Sequence, residues 1–116
     1  MSRDTRPISW IRAALKAFEK VPGKVRGDIE AALTISAEGG KADTAKPMTG
    51  LGSGVMEIAL KHDTNAYRAI YVTEIAGSLW VVHAFQKKSK TGIKTSKQDL
   101  GLIRDRLKRL KKELLQ

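Results

Sequence analysis

The segment VMEIALKHDTNAYRAIYVTEIAGSLWVVHAF, residues 55–85, decides the fold. It divides into three runs rich in Val, Ile, Tyr and Trp, residues 55–60, 66–75 and 79–85, each bounded by turn formers. The connections His62-Asp63-Thr64-Asn65 and Ala76-Gly77-Ser78 are too short for crossovers, so three antiparallel strands in a meander are expected. Because side chains alternate along a strand, Tyr67, Ala69 and Tyr71 share one face of the second run, and Arg68, Ile70 and Val72 the other. In the third run, Val81, His83 and Phe85 are expected opposite Trp80, Val82 and Ala84.

Upstream the period is helical. Ile8, Ile11, Leu15 and Phe18 recur at three and four, with Pro7 placed for a first turn and Pro22-Gly23 as the stop. Val25, Ile29, Ala32, Leu33 and Ser36 continue this spacing until Gly39-Gly40 breaks it, so a helical hairpin is expected with Val21-Pro22-Gly23 as its elbow. Residues 41–54, KADTAKPMTGLGSG, have no period and read as a loop. Downstream, Ser96 and Asp99 are spaced as a capping box, and Leu100, Ile103, Leu107, Leu110 and Leu114 form one seam of a long C-terminal helix. That seam either packs on the sheet or is left partly open for a partner protein. The whole is an α+β chain of 116 residues, expected as a single domain over residues 1–116.

Charge narrows the function. The sequence holds 22 Lys and Arg against 12 Asp and Glu, a formal net charge of +10. Residues 87–116 carry eleven of the basic residues and three of the acids, so +8 of the +10 lies there. Such an imbalance points to a polyanion such as nucleic acid, unless it is only a solvated helix face. With no cysteine there is no disulfide, thiolate metal site or cysteine nucleophile. Two histidines argue against a metal cage, and no cofactor is expected. Neither a membrane-spanning run nor a secretory signal is present, so a cytoplasmic protein is expected. Gly50-Leu51-Gly52-Ser53-Gly54 lacks the Lys-Ser/Thr ending of a phosphate loop, and nothing orders Ser, His and Asp into a relay.

Polar and basic residues nevertheless interrupt the strands. Lys61 and His62 leave the first, Tyr67 and Arg68 enter the second, and His83, Lys87 and Lys88 belong to the third or its exit. In a meander the third strand runs parallel to the first, so Lys61, Arg68, His83 and Lys87 are expected to converge at one edge. Cleavage of RNA by its own 2′-hydroxyl needs a base, cations for the phosphorane and an acid for the departing 5′-oxygen, all of which Lys, Arg and His can supply. Arg68 is the strongest candidate, since a guanidinium within a strand is costly unless it faces a carboxylate or a phosphate. His62 and His83 are candidates for proton exchange, or ordinary hydrogen-bonded residues. Tyr67 and Tyr71 either pack or stack on unpaired bases.

The blocks Ala66-Tyr67-Arg68-Ala69-Ile70-Tyr71 and His83-Ala84-Phe85-Gln86-Lys87-Lys88-Ser89-Lys90, followed by Gly92-Ile93-Lys94-Thr95 and residues 99–107, resemble the HigB-like, phage-derived branch of the RelE/ParE toxin superfamily. Lys46-Pro47-Met48-Thr49-Gly50-Leu51-Gly52 is similar to that branch's lead-in to the sheet. The resemblance implies an N-terminal helical hairpin packed on a curved antiparallel sheet of three to four strands, plus a C-terminal helix. It further implies the toxin of a toxin–antitoxin pair, a metal-independent endoribonuclease that cuts mRNA on the ribosome, with a HigA-like helix-turn-helix antitoxin as partner. Arg68 matches the strand arginine that contacts the scissile phosphate, Lys87 and Lys88 fall at a second basic catalytic position, and Lys61 lies near the strand-end lysines. The tyrosine that RelE carries beyond that segment has no counterpart here, so its base or stacking role falls to Tyr67, His62 or His83, or the cleavage mechanism differs. Lys90, Lys94, Arg104 and Lys108 are expected to bind RNA. The alternatives are a ParE-like inhibitor of DNA gyrase and a phage-derived interaction protein without activity.

Overall fold

The computed structural model of the chain describes residues 5–87 and 95–115. Its elements are β1 (Ile8–Trp10), α1 (Arg12–Phe18), α2 (Gly23–Ala37), β2 (Ala45–Pro47), β3 (Val55–His62), β4 (Asn65–Ile75), β5 (Ser78–Lys87) and α3 (Lys97–Leu114). The sheet order is β1-β5-β4-β3-β2, which puts the long β4 strand at the centre. Both meander turns have two residues with positive φ, Asp63 and Thr64 at 49° and 67°, and Ala76 and Gly77 at 52° and 88°. This geometry matches the right-handed twist of the flanking strands and fixes their register.

Two short strands depart from the sequence reading. Ile8–Trp10 is not the start of the first helix but a strand running parallel to β5, with Ile8 opposite Leu79 and Trp10 opposite Val81. The Leu79 N–H donates to the Pro7 carbonyl and the Ile11 N–H to the Val81 carbonyl, so the segment satisfies backbone groups at the open edge of β5. Helix α1 therefore begins only at Arg12, after an extended Ile11. On the other edge, Ala45–Pro47 within the expected loop pairs antiparallel with β3. Pro47 is tolerated there because an edge strand need not donate on its outer side. The sheet thus has five strands and is mixed, where three to four antiparallel strands were expected.

Helices cover both faces. Ala14, Phe18, Val25, Ile29 and Leu33 of the α1–α2 hairpin pack with Ile58, Ala69, Tyr71 and Val81. On the opposite face Ile103, Leu107 and Leu110 of α3 pack with Val55, Ile70, Val72 and Val82. Burial on two sides explains why the strands read as nearly continuous apolar runs. The alternation expected in the third strand fails at one point. Ile70 pairs with His83 but Tyr71 pairs with Val81, so Val82 is an extra residue and β5 bulges. Val81 therefore joins the hairpin side, while His83 and Phe85 stay with α3. Ser96 caps α3 as its spacing to Asp99 suggests: the Asp99 N–H donates to Ser96 Oγ at 3.1 Å, and the Ser96 hydroxyl donates to Asp99 Oδ2 at 2.7 Å.

The α3 seam is packed from Leu100 to Leu110, with Ile103 fully buried between helix and sheet, while its last residue, Leu114, is exposed. Ile103→Ala is expected to cost about 2–5 kcal/mol, read as a lower urea midpoint with an unchanged slope. A midpoint equal to that of the parent protein would show that α3 does not hold this face of the sheet.

Candidate active site

The registers assemble one row of side chains on the α3-facing side of the sheet. Lys46 lies opposite Glu57, Ala59 opposite Arg68, Lys61 opposite Ala66, Arg68 opposite Phe85, and Ala66 opposite Lys87. Ile70, two residues from Arg68, still belongs to the apolar core beneath α3. Beyond it the same face becomes charged. By these registers Lys61, Arg68, His83 and Lys87 share a face, and Lys46 and Glu57 join them.

Arg68 is the fixed point of this row. Its side chain is 11% exposed; Nε lies 3.6 Å from Glu57 Oε2, and Nη1 donates to the Tyr67 carbonyl at 3.1 Å. Glu57, 7% exposed, also accepts a hydrogen bond from the Thr95 hydroxyl at 2.9 Å. A guanidinium cannot shed its proton, so enclosing it in the sheet requires this anion beside it. The Lys87 ammonium nitrogen is enclosed with no hydrogen-bond partner among the described residues. Its pKa is held below the usual lysine value, first by desolvation and then by the Arg68 cation; Glu57 opposes the shift and Lys46 adds to it. The site therefore pairs a permanent cation with an amine that gives up its proton more readily than a free lysine.

His83 is arranged differently. Its Nε2 lies 2.9 Å from Asp99 Oδ1, and its Nδ1 lies 3.3 Å from Arg106 Nη1, which also donates to the Val82 carbonyl at 2.8 Å. Arg106 can only donate, so Nδ1 accepts and Nε2 carries the proton that goes to Asp99. Both ring nitrogens are committed to α3, and the ring stacks on Phe85 at 4.6 Å. Desolvation lowers the His83 pKa, Asp99 opposes this, and Arg106 adds to the lowering.

The remaining candidates are scattered. His62 ends β3 on the opposite face from Arg68 and lies 3.4 Å from the exposed Asp63. Tyr67 and Tyr71 are 5% and 0% exposed within the hairpin-side core, so the stacking role expected for them is corrected to packing. Lys61 is exposed on the Arg68 face, and Arg104 and Lys108 are exposed on α3. Lys88, Lys90 and Lys94 lie outside the described residues. Sequence reasoning missed Lys46, Glu57 and Arg106. Glu57 carried a signal, being the one acid in the run 55–60 and a match for the carboxylate that a strand arginine demands. Among the described residues no group of three His, Asp or Glu could hold a metal ion, and no helix is long and apolar enough to cross a membrane.

Against known proteins, the family model of the phage-derived Gp49-like proteins matches residues 16–108. Among solved structures, an arginine-to-alanine double mutant of the Escherichia coli toxin RelE in the free state is similar, with a TM-score of 0.64 and 16% identity, over 91% of this chain and 98% of that one. The crystal structure of the isolated E. coli RelE toxin in its P21 form gives a TM-score of 0.56 and 17% identity, over 90% and 98% of the two chains. The comparison with curated proteins gives no match.

The buried imidazole makes stability depend on pH. Because its folded pKa lies below the ordinary 6.5, the unfolded chain takes up the proton first as pH falls. Stability contributed by neutral His83 is full above pH 6.5 and is lost as pH drops from there toward the folded value. Urea midpoints measured between pH 7.5 and 5 should fall for the parent protein and fall less for His83→Gln. Equal slopes for the two proteins would contradict this reading.

Proposed function

The chain belongs to the phage-derived Gp49-like family, and from that premise we propose that it is the toxin of a toxin–antitoxin pair, an endoribonuclease that cuts mRNA on the ribosome. One observation carries the reading: Arg68 and Lys87 sit together on the charged end of a sheet face, beside a carboxylate that orients the arginine. Arg68 holds the scissile phosphate and stabilises the charge that builds on the phosphorane. Lys87 takes the proton of the 2′-hydroxyl, the task for which a lowered pKa fits an amine. This proton exchange passes to Lys87 because His83 is tied to α3 and His62 lies on the other face. Lys61 and Lys46 contact the RNA backbone on either side, and Lys88, the residue after Lys87 in the chain, supplies a further cation.

The exposed Arg104 and Lys108, with the neighbouring basic residues of α3, bind ribosomal RNA phosphates. The cognate antitoxin is a HigA-like helix-turn-helix protein of the HigB-type branch, and the site of action is the cytoplasm. The chemistry is metal-independent, since the cations that neutralise the phosphorane are side chains.

Primer extension on mRNA from cells expressing the chain should show new ends within reading frames, and cutting by the purified protein on translating ribosomes should persist in EDTA. Arg68→Ala should lower the cleavage rate on the order of 10²-fold or more in protein that is still folded, and should also lower the melting temperature, because it leaves the enclosed Glu57 without its cation. Lys87→Arg keeps the charge but removes the titrating amine, so the rise in rate with pH should disappear. Intact mRNA alongside accumulating gyrase–DNA cleavage complexes would overturn the nuclease in favour of gyrase inhibition.

A further inference from the structure

The head of α3 is tied to the sheet at two points, one on each side of the strand that carries Arg68. Glu57 of β3 lies opposite Ile70 of β4, and Ile70 lies opposite His83 of β5, so the three form one row across neighbouring strands. The Thr95 hydroxyl donates to Glu57 Oε2 at 2.9 Å, and Asp99 Oδ1 lies 2.9 Å from His83 Nε2. Ser96 joins the two ties. Its hydroxyl donates to Asp99 Oδ2 at 2.7 Å and accepts from the Asp99 N–H, and its carbonyl accepts from the Leu100 N–H at 2.9 Å. Thr95 is the residue before this cap, so its place above β3 is set from β5.

Arg68 lies two residues from Ile70 on the same face of β4, and its guanidinium is held at two corners. Nη1 donates to the Tyr67 carbonyl at 3.1 Å. The other corner is looser: Nε lies 3.6 Å from Glu57 Oε2, longer than a hydrogen bond, and is enclosed without a hydrogen-bond partner among the described residues. Coulomb attraction falls off slowly with distance, so it keeps the guanidinium near the carboxylate without fixing its direction. That direction depends on where the carboxylate itself is fixed. Among the described residues, Thr95 makes the one hydrogen bond to it, on the oxygen that faces Arg68. We propose that Thr95 is a positioning residue for phosphate cleavage, which sets the aim of the Arg68 guanidinium by fixing Glu57 Oε2; it rests on the nuclease reading above. Thr95 touches no reacting atom and acts only through Glu57.

The test compares Thr95→Val, which keeps the shape of the side chain and removes the donor, with Thr95→Ser, which keeps the hydroxyl. Both are assayed as full-length protein shown to be folded by circular dichroism. A catalytic group misplaced by about 1 Å costs up to about 10²-fold, and Arg68 keeps its Tyr67 contact, so Thr95→Val should lower kcat on translating ribosomes about tenfold. KM should not change, because the basic face of α3 is intact. Thr95→Ser should restore the parent kcat. In a Glu57→Gln background the added Thr95→Val change should cost less than about twofold, since the neutral amide no longer directs the guanidinium. The Arg68 Nε–H resonance, followed by NMR, should shift in Thr95→Val and return in Thr95→Ser. A parent kcat in Thr95→Val, a serine that fails to restore it, or the same loss again in the Glu57→Gln background would overturn the proposal. The nuclease reading fails separately. Parent protein that leaves mRNA intact removes it, and the Arg68 resonance, shifted or unmoved in Thr95→Val, then decides for or against Thr95 as the residue that fixes the guanidinium.

Discussion

A guanidinium in the central strand of a sheet covered by helices on both faces is the constraint around which the rest of the molecule is arranged. Arg68 cannot neutralise itself, so an anion has to lie within reach on a neighbouring strand, and Glu57 of β3 supplies it at 3.6 Å. Glu57 in turn accepts from Thr95, which ties the segment leading into α3 to the same pair. The apolar seam of α3 covers Ile70 and Val72 and gives way to charge at Arg68, two residues along the same face of β4. The charged end of the face results from where that seam stops.

A second polar tie sets the position of α3. His83 joins β5 to Asp99 and Arg106, one turn and three turns into the helix, and the Arg106 donor also caps the Val82 carbonyl at the bulge. The bulge matters here, because without the extra Val82 the alternation of β5 would place Val81 with His83 and carry an apolar side chain toward the wrong core. Local irregularity in β5 thus serves both the packing of the hairpin and the docking of α3 beside the charged row. With 16% identity to RelE over 91% of the chain, what the two proteins share is the overall fold. Fold alone does not choose between RNA and gyrase as the target, so the functional reading rests on the side chains of the row.

Much of this was legible in the sequence. Hydrophobic period and turn chemistry placed α2, the three long strands and α3, and strand direction alone led to the expectation that Lys61, Arg68, His83 and Lys87 converge at one edge; that they share a face follows from the registers. The edge strands were not legible, because Ile8-Ser9-Trp10 and Ala45-Lys46-Pro47 are too short to show a period and owe their conformation to partners far along the chain. Ile8 and Ile11 fit a helical spacing by coincidence, and the unsatisfied edge of β5 outweighed it. The bulge was invisible for a similar reason, since an inserted valine among valines changes no pattern. In the charged row the sequence singled out Lys61, Arg68 and Lys87, while Lys46, Glu57 and, beside His83, Arg106 were missed. Tyr67 and Tyr71 looked amphipathic, but a sheet buried on both faces leaves their rings no access to a base.

The central claim is that the row around Arg68 and Lys87 cuts RNA by activating its own 2′-hydroxyl. That chemistry fixes the new ends whatever the sequence cut. Mass spectrometry of mRNA fragments made by the purified protein on translating ribosomes should find 2′,3′-cyclic phosphate, or the 3′-phosphate it hydrolyses to, on one side of the break and a 5′-hydroxyl on the other. A 3′-hydroxyl facing a 5′-phosphate would contradict the account, because it requires an attacking water that the 2′-hydroxyl route does not use.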